Sequence, residues 1–279
     1  MNSVKLDVTS ELCSNLASLI RTKISRLPHL EELFSDYDEI HDNNVSIYNR
    51  MWDARGLRKL HIERAITSKG IEILHCVLFP DPEFPIPIFG CDIVEAGGKV
   101  TAAIVDISPV YEVDYSLGNL KYDFKKVRNL PEWGEIFSPW CKFVRLDEDE
   151  YDKFLLMCSD YLEVFCHIVR TAERETEWQK TMRRYDDQLW YCTSQMKNKK
   201  TEAVLSQWFD NSWATKYIQN VLFDKPNYER ENDQCSSCSC SRRYPKAQNE
   251  RRSIPYKSCW YRRAFKCDGS NRRRVKYDC

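Results

Sequence analysis

Three ionisable side chains, Glu63, His75 and Asp92, fall on three successive strand-like runs of this chain, at spacings of twelve and then seventeen residues. The runs are 57–65 (LRKLHIERA), 71–79 (IEILHCVLF) and 86–94 (IPIFGCDIV). Side chains alternate faces along a strand. On the first run Lys59, His61 and Glu63 therefore share one face, and Leu60 and Ile62 the other. On the second, Ile71, Ile73, Val77 and Phe79 surround His75, while Glu72 is the strongly polar residue of the opposite face. A histidine set in an apolar face needs a polar partner. Neighbouring strands lie about 5 Å apart, so pairing of the three runs would put a Glu, a His and an Asp on one floor. Such a group would donate protons to a bound molecule. Taken singly, each residue also fits ordinary structure: a satisfied core histidine, or an Asp at a turn or strand end.

The elements that would position the trio can be read from periodicity. Strand-like runs at 57–65, 71–79, 86–95, 99–107 and 141–146 are punctuated by Lys69-Gly70, Pro80-Asp81-Pro82 and Ala96-Gly97-Gly98. Connections this short imply antiparallel neighbours, because a parallel crossover needs a dozen or more residues. Leu12, Leu16, Leu19, Ile20 and Ile24 recur at helical spacing in 8–27, and Pro28 ends that helix. The acidic stretch SDYDEIHDN reads as a loop. Helical periodicity returns in 149–170, 173–197 and 201–222. Helix, strand meander, then helices predicts an α+β fold with helices packed on the faces of an antiparallel sheet.

The chain has 279 residues, 42% of them hydrophobic and 13% aromatic, enough for a sizeable core and suited to a pocket for a large flat ligand. Its eight glycines form no phosphate-binding loop. No flavin, nicotinamide or iron–sulfur motif is visible, so no bound cofactor or metal is expected. Cys13, Cys76, Cys91, Cys141, Cys158, Cys166 and Cys192 lie in apolar runs without ligand spacing and read as small core residues of a reducing compartment. No signal peptide or membrane-spanning run is apparent, which predicts a soluble intracellular protein without membrane partners. Net charge is zero, yet residues 231–279 hold 13 Lys and Arg against 5 Asp and Glu. The expected division is a folded domain over 1–230 and a basic, Cys-rich, disordered tail over 231–279. Cys235, Cys238 and Cys240 with Cys259, Cys267 and Cys279 match no common zinc module. Arg clusters with Trp260, Tyr261 and Phe265 would suit RNA or an acidic partner, but the acidic remainder argues against nucleic acid.

Several longer motifs occur in order between residues 57 and 226: LRKLHIE, IEILHCVLFPDPEFPIPIFGCDIV, AAIVDISPV, LPEWGEIFSPWCKFVR, YCTSQMKNKKT and YIQNVLFDKP. Together they resemble the ferredoxin-dependent bilin reductases. The resemblance implies an α/β/α sandwich with the bilin held between the sheet and the C-terminal helices. It implies a monomer, cytoplasmic or in a plastid stroma, that reduces biliverdin IXα to phycocyanobilin by four electrons through radical intermediates. Electrons would come from a [2Fe-2S] ferredoxin. Glu63, His75 and Asp92 fall on the family's proton donors. Asp92, kept protonated among Phe89, Cys91, Ile93 and Val94, would serve the pyrrole centre. His75 would meet a terminal lactam oxygen, and Glu63 the outer vinyl group. His61 would support Glu63 or a water. Arg145 and Lys200 would pair with the propionates, and Gln195, Asn198 and Val204 would line the helical side.

The sequence departs from the family pattern in two places. The family run Asn-Asp-Lys-Thr is Asn198-Lys199-Lys200-Thr201 here, and Met196 stands where the family has Gln. These changes bear on hydrogen bonding near His61 and on the product, and leave open a phycoerythrobilin- or phytochromobilin-type reductase or a non-catalytic bilin carrier. Lys197, Lys199 and Lys200 would steer an acidic ferredoxin, or are simply a solvated helix end.

Overall fold

The computed structural model of the chain describes residues 10–42 and 44–227. The proposed tail and its cysteine and arginine clusters lie outside the described residues. Nine strands form one antiparallel sheet: β1 (Glu31–Leu33), β2 (Glu39–Asp42), β3 (Val45–Ala54), β4 (Leu57–Thr67), β5 (Ile71–Pro80), β6 (Ile88–Ala96), β7 (Lys99–Ser108), β8 (Lys126–Val127) and β9 (Lys142–Arg145). The order across the sheet is β1-β3-β4-β5-β6-β7-β9-β8, with β2 also pairing β3. The β4–β7 meander follows from its turn residues. At the β3–β4 turn Gly56 has φ +79°, and a Cβ there would stand 2.9 Å from Ile86, so this turn needs glycine on both counts.

Alternation splits the long strands between two cores. Leu74, Cys76 and Leu78 of β5 point one way, into a core with Leu12, Leu16 and Ile20 of α1 (Glu11–Ile24) and Phe154, Tyr161 and Phe165 of α2 (Tyr151–Thr171). Val77 and Phe79 point the other way, into a core with Tyr191 of α3 (Trp178–Gln195), Leu205 of α4 (Lys199–Trp208) and Tyr217 of α5 (Asn211–Tyr217). A single turn of π-helix, Ile218–Leu222, then brings Phe223 onto the same face. Each fully buried Leu or Phe in these layers contributes roughly 2 kcal/mol from burial alone. The result is an α/β/α sandwich. Among the described residues no helix is long and apolar enough to cross a membrane.

Four expectations about elements need correction. The acidic stretch read as a loop contains β2, and β3 begins well before the strand region expected. β2 lies off the main path of the sheet with exposed charged residues that hide any two-residue period, and β3 mixes polar Ser46, Asn49, Arg50 and Asp53 among its buried and half-buried positions. The helix expected over 173–197 starts only at Trp178, because 172–177 is drawn off as a connection in which the Glu175 amide donates to the Glu83 carbonyl. The helix expected over 201–222 is two helices and a π turn. It breaks at Phe209-Asp210, where the Asp210 carboxylate accepts from the Trp213 amide and starts α5 as an N-cap.

Candidate active site

One row of registered residues crosses the middle of the sheet. Asn49 of β3 pairs with Glu63 of β4, Glu63 with His75 of β5, and His75 with Asp92 of β6. Being in register, all four point to the face covered by α3, α4 and α5. The next row on that face sets Met51 beside His61, His61 beside Val77 and Val77 beside Gly90. Gly90 leaves room for α3: a Cβ there would meet the Tyr191 hydroxyl at 3.3 Å.

His75 Nδ1 lies 2.5 Å from Asp92 Oδ1. Burial pushes the imidazole down, but the neighbouring carboxyl groups, Asp92 foremost and then Glu63, more than offset this and raise its pKa above the ordinary histidine value. The expectation that Asp92 is desolvated by its neighbours does not hold. Its side chain is 42% exposed. Phe89, Cys91 and Ile93 belong to the opposite core, because a strand gives adjacent residues to opposite faces. The deeply buried carboxyl is Glu63 instead, and burial raises its pKa. Glu63 Oε2 lies 2.5 Å from the Tyr217 hydroxyl, which is also 2.9 Å from Asn49 Oδ1.

His61 is fully buried, and burial holds its pKa well below the usual value, so the ring is neutral. Its Nε2 lies 2.8 Å from Asn49 Oδ1, so it reaches Glu63 through Asn49 and Tyr217 rather than directly. The His61 and His75 rings meet edge to face at 5.8 Å, and Phe223 covers His75 at 5.6 Å. His61 Nδ1 and His75 Nε2 are buried and have no hydrogen-bond partner among the described residues.

The remaining sequence candidates surround this floor. Arg145 is exposed at the end of β9, and alternation from buried Val144 directs it to the face of the trio. Gln195 is buried at the end of α3, its amide donating to the Tyr191 hydroxyl at 3.1 Å. Asn198 spends its side-chain oxygen capping α4, accepting from the amides of Lys200 and Thr201. Val204 is half-buried on α4 and Lys200 is exposed at its start.

Sequence reasoning missed Asn49, Tyr217 and the anchor of the segment above the site. Asn49 lies on a strand that the sequence did not reveal. Tyr217 lies within the run read simply as a helix over 201–222, although a buried hydroxyl demands a partner. Buried Lys59 donates to the carbonyl of Val221 at 2.7 Å and pairs with Asp224, which also accepts from Arg58 at 2.7 Å. The start of β4 thus holds down the chain that carries Phe223.

Residues 10–224 match the family model described as ferredoxin-dependent bilin reductase. Phycocyanobilin:ferredoxin oxidoreductase of Synechococcus sp. (strain CC9902) is 40% identical over 77% of this chain and 93% of that protein. The protein of the same name from Prochlorococcus marinus (strain MIT 9303) is 38% identical over 77% of this chain and 87% of its own length. The crystal structure of phytochromobilin synthase from tomato in complex with biliverdin has the same fold. It aligns with a TM-score of 0.66 at 18% identity, over 75% of this chain and 82% of that one.

Proposed function

The chain belongs to the ferredoxin-dependent bilin reductase family, and we propose that within it this oxidoreductase converts biliverdin IXα to phycocyanobilin. Four electrons from reduced [2Fe-2S] ferredoxin would pass singly through substrate radicals to the bilin, and four protons would follow. The observation that carries the reading is the row Glu63–His75–Asp92 on consecutive rungs of one sheet face. It offers two different acids to one flat molecule. His75 with Asp92 forms a donor pair that borders solvent, the histidine's pKa raised, and Glu63 is a carboxyl whose pKa burial raises.

Each added electron makes a conjugated tetrapyrrole more basic, so a donor within hydrogen-bond reach is what the reaction requires of the protein. His75 Nε2 and His61 Nδ1 are the buried ring atoms that would meet the polar atoms of the substrate. Glu63, two strands from Asp92, would serve the vinyl group of the outer ring. Arg145 and Lys200 are exposed, with no close ion pair among the described residues, and would take the propionates from the rim. The protein would act as a monomer in the cytoplasm or a plastid stroma.

The test is an anaerobic assay with biliverdin IXα and reduced ferredoxin, its product identified by absorbance and chromatography. Phycocyanobilin is the expected product. Unchanged biliverdin alongside a working control reductase would sink the enzyme reading and leave a carrier. A bilin that keeps its D-ring vinyl group would instead mark a two-electron relative or a phycoerythrobilin-type pathway.

A further inference from the structure

Hydrogen-bond counting around Asn49 fixes the direction of the protons on Glu63, Tyr217 and His61. The Asn49 amide lies across from the backbone carbonyl of Tyr37, with Nδ2 at 2.6 Å. A carbonyl only accepts, so the amide nitrogen must face it and Oδ1 must face the other way. Oδ1 in turn only accepts. It meets His61 Nε2 at 2.8 Å and the Tyr217 hydroxyl at 2.9 Å, and both must donate to it. Tyr217 has one proton, and it is now used. The 2.5 Å contact between Tyr217 and Glu63 Oε2 therefore needs a proton on Glu63.

We infer that Tyr217 and Asn49 are positioning residues, oriented by the Tyr37 carbonyl, that keep Glu63 in its proton-bearing form and His61 as the Nε2–H tautomer. The surroundings agree. Asn49 is fully buried and Glu63 is 5% exposed, so a carboxylate here would have little solvent to lean on. Tyr217 is held in place by Trp213, stacked on it at 4.7 Å, and by Tyr37 at 5.9 Å. The tautomer also leaves His61 Nδ1 as a bare acceptor beside His75. The titratable groups facing Glu63 are Lys59 and His61 from its own strand, His75 from β5, Asp92 from β6, Tyr217 from α5 and Tyr37 from the segment before β2. The proton directions concern the substrate-free protein. Their link to vinyl reduction rests on the proposed reaction.

Infrared titration of the substrate-free protein tests the inference without turnover. The Glu63 carboxyl band is identified by its loss in Glu63→Gln. If Tyr217 accepts from Glu63, Tyr217→Phe removes the acceptor for the carboxyl proton. Asn49→Leu frees the phenol to donate to the carboxylate. Each variant should lower the titration midpoint of Glu63 by about one pH unit. A raised midpoint in Tyr217→Phe, or an unchanged one in Asn49→Leu, would show that Tyr217 donates to a carboxylate and overturn the inference. Nitrogen-15 NMR of the unsubstituted protein decides the matter even where a variant does not fold. His61 should show a protonated Nε2 and a bare Nδ1, and the opposite tautomer would refute the scheme. Under the proposed reaction both variants should also release more product that keeps its D-ring vinyl. That result failing while the titration holds would count against the reaction and not against the network.

Discussion

His75 Nδ1 and Asp92 Oδ1 stand 2.5 Å apart across one rung of the β5–β6 ladder, the histidine side chain 12% and the carboxyl group 42% exposed. The pair therefore ties a largely enclosed imidazole to a partner at the solvent boundary. Asp92 lifts His75 above its ordinary value, so the stability it contributes is fully present below about pH 6.5 and is lost as pH rises through the folded-state value. In Asp92→Asn burial, the largest influence on the ring, outweighs what remains and depresses His75, and stability is then lost as pH falls. Urea unfolding should show Asp92→Asn to be less stable at pH 5.5 by on the order of 1 kcal/mol, with the exposure of Asp92 allowed for, and to converge with the unsubstituted protein at pH 8.5. Equal differences at both pH values would contradict the pairing.

The same substitution should separate binding from turnover. Asp92→Asn keeps the shape of the site but weakens the donor pair. Biliverdin should bind and accept a first electron, and the complex should then stall as a radical seen by electron paramagnetic resonance. Turnover to phycocyanobilin at the unsubstituted rate would remove Asp92 and His75 from the proton path.

Glu63→Gln should give a different failure. Gln retains a donor toward the Tyr217 oxygen, so the buried network keeps its hydrogen bonds and the fold survives. It has no carboxyl proton to give. A-ring reduction should proceed, while D-ring vinyl reduction falls by at least about 100-fold, read by chromatography of the released bilins. Loss of both reductions together would mean that Glu63 acts on substrate binding.

The meander and the two-sided helical packing were legible because β4–β7 carry a two-residue period, interrupted only by bulges near their ends, between glycine and proline turns. That period also put Glu63 and His75 on one face before any coordinates. What it could not give was depth. Asp92 sits among apolar letters, yet Cys91 and Ile93 beside it face the other core. Conversely, Glu63 was picked out for its face and spacing with no sign of how deep it lies, and its burial involves α5, some 150 residues away. Long-range partners such as Tyr217 and Asn49 leave no local signal, because no spacing rule links the residues of a strand to those of a distant helix.

The anchor beneath Phe223 predicts a stability defect with a particular pH signature. Lys59 is 6% exposed and pairs with Asp224, so Asp224→Ala leaves a buried ammonium without its counter-charge. The cost should be roughly 2–3 kcal/mol at pH 7, less than for a fully buried pair because Asp224 is partly exposed. Burial lowers the Lys59 pKa, with Asp224 opposing the shift. Without Asp224 it falls further, and stability is lost as pH falls through the lowered value. The defect should therefore shrink between pH 7 and pH 9.5 in chemical unfolding. A defect independent of pH would assign Asp224 a packing role alone.

Lys199, where the family pattern has Asp, is the departure that raised doubt about the product. It is the first residue of α4, its side chain is 81% exposed, and its ammonium pairs with Glu202 at 2.6 Å. A side chain so placed does not reach the His61–Asn49 network, which lies on the sheet floor. Lys199→Asp should accordingly leave the bilin product unchanged. Stability should move by no more than about 0.5 kcal/mol, since an acid favours a helix N-terminus while the pair with Glu202 is lost. The electron donor should notice the change more. If Lys197, Lys199 and Lys200 steer an acidic ferredoxin, the substitution should raise the KM for ferredoxin several-fold at low salt, and the difference should vanish at high ionic strength. An altered bilin product with an unaltered KM would reverse this assignment and place Lys199 at the pocket rather than at the docking face.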